Sequence, residues 1–282
     1  MTEFFNILKA ILFGIVEGIT EWLPVSSTGH MILLDEFVKM DVSEEFWNLF
    51  LIVIQLGAIM AVVLLFWKKI WPFGKKEGGG IQIKMPILIM WIKIIVACLP
   101  AVIYGLTLDD VLEPVFYNPW CVSVALIVFG VGFILVENRN KGKDPLITSL
   151  SQMNYSIAFV IGLFQLLAAV FPGTSRSGAT IIGALLLGVS RTVAAEFTFF
   201  MAIPVMFGAS LLKVVKYDGA VTGGEITVLL VGMIVAFLVS VFVIRFLMGY
   251  IKKHDFKVFG WYRILLGILV LLYFLVKAMT VA

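Results

Sequence analysis

The sequence predicts an all-α polytopic membrane protein with an inverted-topology repeat, each half holding one re-entrant helical hairpin and three transmembrane helices. Three observations carry that prediction. The first is composition: of 282 residues, 61% are hydrophobic and 14% charged, with a mean hydropathy of +1.08. A soluble domain of this size carries about a quarter charged residues. The second is a series of apolar stretches near the length of about 20 residues that a spanning helix needs. The third is a pair of polar blocks, 17–30 and 171–180, each set inside an apolar region.

The chain opens on Met1, Thr2 and Glu3. It shows neither a basic leader region nor a small-residue cleavage site, so a cleaved signal peptide is not expected. The first element is an apolar region over 4–34 that is broken by Pro24 and Gly29. Neither flank of the break crosses a bilayer comfortably, so the economical reading is a helix–loop–helix hairpin that returns to the side it entered from. Spans follow at 46–67, 86–106 and 118–136. A second broken region at 155–189, interrupted by Pro172 and Gly173, reads as a second hairpin. Spans at 197–215, 226–248 and 264–276 complete the chain, the last one short unless Trp261 and Tyr262 anchor it. Trp67 and Trp71 read as further interface anchors. Irregular backbone at membrane depth is tolerated only where protein or a watery cavity surrounds it.

The halves, about 1–145 and 146–282 of a single membrane domain, repeat at an offset of 148. Gly14 then falls on Gly162, Pro24 on Pro172, Ser26 on Thr174 and Ser27 on Ser175, and the next spans end at Lys68 and Lys216. Three crossings per half invert the second copy, an arrangement familiar from secondary transporters. Loop charge then orients the chain. Lys68, Lys69, Lys75, Lys76 and Lys84 share one side with Arg139, Lys141 and Lys143, and with Lys252, Lys253, Lys257 and Arg263. That side is expected to be cytoplasmic, with Asp109, Asp110 and Glu113 outside and Lys213 and Lys216 as exceptions. Both termini and the first hairpin are expected to enter from outside and the second hairpin from the cytoplasm, with the tips meeting near the midplane.

A net charge of +3, with the basic residues in loops, argues against a nucleic-acid partner. Cys98 and Cys121 sit in apolar runs without metal-ligand spacing and read as small buried residues. Charged groups inside a membrane are costly, so the polar blocks point to function. Glu17 and Glu21, four apart, share a helix face and can hold a divalent cation or act as an acid/base pair; a partner for a basic residue is the plainer alternative. The run PVSSTGH from Pro24 to His30 offers Ser26, Ser27 and Thr28, a turn glycine and an imidazole. One hydroxyl is explained by N-capping alone; three with a histidine suggest an anion nest with His30 as acid, base or nucleophile. In the run PGTSRSGAT from Pro172 to Thr180, Arg176 can grip phosphate, with Ser175, Ser177 and Thr180 beside it. Its rival roles are snorkelling and an ion pair with Glu17 or Glu21. Gln55 lines a cavity or bonds between helices, while Gln165 falls on Glu17 in the repeat. Lys93 and His254 read as snorkelling and solvated groups.

These two runs together resemble the bacterial undecaprenyl-diphosphate phosphatase family, the BacA type. Gln55 to Ala58 and Gly188 to Arg191 match that family as well, so the resemblance covers essentially the whole chain. It implies hydrolysis of undecaprenyl diphosphate, a lipid substrate, to undecaprenyl phosphate and phosphate, which recycles the cell-wall lipid carrier and confers bacitracin resistance. It also implies residence in the bacterial inner membrane, a site facing outward and a divalent cation, Mg²⁺ or Ca²⁺, on Glu17 and Glu21. The roles that follow put Ser26, Thr28, Gln55, Ser175, Arg176, Ser177 and Thr180 on phosphate, with Ser27 attacking and His30 as base or acid. His30 activating water, or attacking directly, is the second choice. A polyprenyl-phosphate flippase using the same cavity is the alternative function, and homodimerisation stays open.

Overall fold

The computed structural model describes residues 2–76 and 79–281. The chain runs up α1 (Thr2–Thr20), turns through 21–25 and returns as α2 (Ser27–Phe37). α3 (Glu44–Ile70) precedes a small antiparallel hairpin, β1 (Phe73–Lys75) and β2 (Ile81–Ile83), with Phe73 opposite Ile83. Next come α4 (Met85–Thr107), the short α5 (Asp109–Phe116) and α6 (Pro119–Asn140). The second half holds α7 (Tyr155–Val170), α8 (Arg176–Leu186), α9 (Arg191–Val215), α10 (Gly223–Tyr250) and α11 (Lys257–Val281).

The long helices start where side chains satisfy their first amides. Ser43 accepts from Phe46 N, Asn118 from Cys121 N and Ser190 from Val193 N, while Thr222 and Glu225 form a reciprocal capping box. Such caps matter because the first turn of a helix has no internal acceptors. Six helices, α3, α4, α6, α9, α10 and α11, are long and apolar enough to cross a membrane. At 1.5 Å rise per residue, even the 22 residues of α6 cover about 33 Å. α2 and α8, with 11 residues each, cover about half that and end inside the bilayer. α7 has 16 residues; α1 has 19 but carries Glu3, Lys9 and Glu17. The molecule is therefore an all-α polytopic membrane protein.

The packing pairs corresponding helices. α1 packs along α10 and α7 along α4, while α6 packs along α11 and α3 against α9. Lipid tails offer no hydrophobic drive for helix association, so close van der Waals fit must hold the bundle. Glycine supplies that fit at the crossings: a Cβ on Gly14 would meet the Gly232 carbonyl at 2.7 Å, and Gly130 and Gly260 approach each other's carbonyls at 2.8 Å. Leu64, Leu135, Phe242 and Leu265 point outward, as lipid-facing side chains do. Inside, Trp22 is fully buried and stands edge-on to Phe199, 5.2 Å between centroids.

Several expectations are corrected. The segment over 107–117 is not a plain loop but contains α5, and the side chains of Asp109, Asp110 and Glu113 lie outside the described residues. The final span is not short: α11 begins at Lys257, upstream of the expected start. As a result Arg263 is not a loop cation. It lies one and a half turns inside α11 and is completely buried. The hairpin β1–β2 had no signal in the apolar pattern. The prolines Pro24 and Pro172 align as expected, but the capping serines of the two turns are Ser26 and Ser175, one residue further apart.

Candidate functional site

Both polar blocks fold into the same device. After each proline the chain makes a tight turn ending in a serine with left-handed backbone, Ser26 at φ 74° and Ser175 at φ 69°. Non-glycine residues in that region cost of order 1–3 kcal/mol, and they persist where the surroundings hold them. The holding is visible: Ser26 Oγ accepts from Gly29 N at 3.3 Å and Ser175 Oγ from Gly178 N at 3.1 Å. Each serine thereby opens a helix, α2 or α8, and its strained backbone swings the following residue toward the other hairpin.

Where the two turns meet, Arg176 Nη2 donates to Glu21 Oε1 at 2.9 Å, with both side chains largely buried. Arg176 Nη1 donates to the Thr198 carbonyl on α9 at 3.1 Å, which fixes the plane of the guanidinium. The second carboxylate oxygen of Glu21 accepts from Ser27 Oγ at 2.6 Å. Ser177 Oγ donates to the Glu21 carbonyl at 3.2 Å, a further tie between the hairpins. Removing one member of such a buried pair typically costs about 3–5 kcal/mol, because the remaining charge is stranded.

A cavity of about 170 Å³ opens at this junction, lined by Glu21, Ser27, Thr28, Gln55, Ser175 and Arg176 among others. Both α2 and α8 begin at its wall, so the positive ends of two helix dipoles face it. A guanidinium, two helix starts and several hydroxyls make a receptor for a multiply charged oxyanion. Apolar Val205, Met206 and Ala209 of α9 complete the wall.

The remaining expected site residues stand behind this surface. Glu17 is buried one turn before Glu21, and its Oε1 has no hydrogen-bond partner. Ser26 spends its hydroxyl on the cap. Ser177 is held against Glu21, and Thr180 Oγ1 pairs with Thr198 Oγ1 at 2.8 Å and donates to the Arg176 carbonyl at 2.9 Å. His30 does not bond Ser27. Its Nδ1 lies 2.7 Å from the Ser26 carbonyl and so carries a proton, and its Nε2 lies 2.7 Å from the Tyr262 hydroxyl. Among the described residues, no group of three or more His, Cys, Asp or Glu side chains could hold a metal ion.

Three residues that matter here carried little signal. Thr198 sits in an apolar run, Tyr262 read as an interface anchor and Arg263 as a loop cation. Arg263 was detectable only by noticing that a helix starting at Lys257 would carry it into the bilayer. A separate polar cluster ties the opposite end of the bundle. Arg191 Nε donates to Glu137 Oε1 at 2.9 Å, and Phe256 N to the same oxygen at 3.0 Å, which joins α9, α6 and the start of α11.

Comparison with known proteins bears on what this cavity does. A family model described as "Bacitracin resistance protein BacA" matches residues 10–269. A protein of Desulfitobacterium hafniense named "Undecaprenyl-diphosphatase" is 64% identical over 269 residues, covering 95% of this chain and 96% of the relative. "Undecaprenyl-diphosphatase 1" of Clostridium acetobutylicum is 62% identical over 274 residues, covering 97% and 99%. An "Undecaprenyl-diphosphatase" of Enterococcus faecalis is 56% identical over 270 residues, covering 96% and 98%.

Proposed function

We infer that this chain, which belongs to the bacitracin resistance protein BacA family, hydrolyses undecaprenyl diphosphate to undecaprenyl phosphate and inorganic phosphate in the bacterial cytoplasmic membrane. The observation that carries this reading is the line Arg176–Glu21–Ser27 on one cavity wall. A polyprenyl tail is insoluble in water, so its phosphatase must draw the headgroup into a polar chamber while the tail stays in lipid. Recycling of the carrier and resistance to bacitracin follow from that activity.

Without substrate, Arg176 is paired with Glu21. A diphosphate entering the cavity offers better-matched oxygens to the planar guanidinium, and Arg176 exchanges partners. Glu21 then keeps only its bond from Ser27 and accepts that proton as Ser27 Oγ attacks the terminal phosphorus. The P–O bond to the bridging oxygen breaks, undecaprenyl phosphate leaves with the electron pair, and water releases phosphate from Ser27. Positioning and charge stabilisation do most of the work in phosphoryl transfer, and the two helix starts, Thr28 and Ser175 supply them. The hydrogen bonding favours Glu21 over His30 as proton acceptor; His30 holds the strained Ser26 turn from below.

The orphaned oxygen of Glu17, one turn from Glu21, fits the oxygen-donor preference of Mg²⁺ or Ca²⁺. Glu17 and Glu21 would hold the ion, with substrate oxygens completing its shell, since two carboxylates do not enclose it. Bound there, it would offset phosphate charge.

The matched serine caps and the α1–α10 and α7–α4 pairings support an inverted repeat with an outward-opening site, basic loops inside and both termini outside. The same symmetry is what favours lipid translocation as the second reading. Purified protein given a polyprenyl diphosphate should release phosphate, with Arg176→Ala folded and at least about 100-fold slower. Chelation should suppress wild-type turnover, and added Mg²⁺ or Ca²⁺ should restore it. Lipid movement across liposomes without phosphate release would refute hydrolysis in favour of transport, and full activity in excess chelator would remove the cation.

A further inference from the structure

Arg263 is the most deeply buried cation among the described side chains, with no solvent exposure at all. No carboxylate neutralises it by an ion pair among the described residues. A lone cation in such a place is costly unless its donors are used. They are used on backbone. Nη2 donates to the Gly173 carbonyl at 3.0 Å and to the Thr174 carbonyl at 2.6 Å, both in the second hairpin turn. Nη1 reaches the Pro24 carbonyl at 3.4 Å, in the first. The guanidinium also lies over the Phe129 ring of α6, 5.8 Å from its centroid.

We propose that Arg263 is a positioning residue that clamps the two hairpin turns from behind and so sets the register at which Arg176, Glu21 and Ser27 face one another. Three carbonyls from two chain segments converge on one rigid fork, and a planar group with five donors can bridge them where a point-charge ammonium cannot. The bridged carbonyls immediately precede the two strained serines, so a shift at the clamp is passed directly to Ser27 and Arg176. The neighbouring Tyr262 touches the same device through His30. Arg263 also faces the start of α8 closely: a Cβ added to Gly178 would meet its Nη1 at 2.5 Å. The packing leaves the fork no slack.

This proposal rests on the phosphatase reading, and its test separates the two. Steady-state phosphate release from a polyprenyl diphosphate would be measured for the purified full chain, Arg263→Met, Arg263→Lys and Gly178→Ala, each checked for monodispersity and thermal transition. A misplacement of about 1 Å in a catalytic array costs on the order of 100-fold, so Arg263→Met should lose about that in kcat with KM within about threefold. Arg263→Lys, which keeps the charge and part of the bonding, should recover about tenfold of that loss. Gly178→Ala, a helix-favouring change that only displaces the fork, should lose at least about tenfold in kcat. Folded Arg263 variants with wild-type kcat would overturn the clamp, as would a loss that falls entirely in KM. If neither Arg263 variant folds, wild-type turnover by Gly178→Ala overturns it. A wild-type chain that releases no phosphate under any condition would sink the phosphatase reading instead.

Discussion

Replacing Glu21 by glutamine removes one negative charge while keeping the shape of the side chain, and the two hydrogen bonds of the carboxylate make the consequence calculable. Oε1 accepts from Arg176 at 2.9 Å and Oε2 accepts from Ser27 at 2.6 Å. Both neighbours are donors, and an amide can accept on one side only. Turning the amide nitrogen toward Arg176 sets donor against donor beside a full positive charge. The carbonyl oxygen must therefore face Arg176, and the amide nitrogen then donates to Ser27. The serine hydroxyl reverses, its lone pair is tied to the amide, and nothing remains to take its proton. A general base contributes about 100- to 10,000-fold, or about 3–5 kcal/mol of barrier. Glu21→Gln should lose that in kcat, while the Arg176 bond survives in neutral form and folding changes by about 1–2 kcal/mol. Phosphate release from a polyprenyl diphosphate, read beside the thermal transition in detergent, measures both. Turnover within about threefold of wild type would refute the assignment of Glu21 as proton acceptor.

The other expectations concern groups around this line. His30→Gln should lower kcat about tenfold or more by loosening the Ser26 turn, yet leave the shape of the pH–rate profile unchanged. Disappearance of a limb in that profile would hand the proton to His30. Gly57→Ala should lower the thermal transition, because a Cβ there runs into the Met233 backbone, and overpacking costs about 1–3 kcal/mol. An unchanged transition would mean that α3 and α10 can slide apart freely.

Legibility differed between the layout and the site. Five of the six spans were readable because a bilayer demands a long apolar run, and a run is a local property of sequence. The start of α11 was missed because Lys257, Trp261, Tyr262 and Arg263 look like an interface segment. In fact Lys257 lies at the boundary and Arg263 is carried down into the bundle. Both broken hairpins were visible through Pro24 and Pro172. The serine caps were visible only as candidates, because a left-handed serine is imposed by its surroundings and has no signature of its own. Within the site, Glu21, Ser27 and Arg176 were all nominated from residue type, since a charge in an apolar run must have a reason. Their division of labour was not readable. Ser27 was given to His30 on adjacency in sequence, whereas the helical turn of α2 points the imidazole toward the Ser26 carbonyl and Tyr262 instead.

The amino-acid sequence by itself determined that this is a multi-spanning helical protein with two polar interruptions, because hydropathy and backbone breakage act within a few turns of chain. Only the tertiary structure decided that residues 21 and 176, far apart in sequence, share an ion pair, and that Arg263 fastens the turns on which they sit. Those contacts depend on the crossing of separate helices, and the choice among several carboxylates and cations is made by distance and burial, which no single segment encodes.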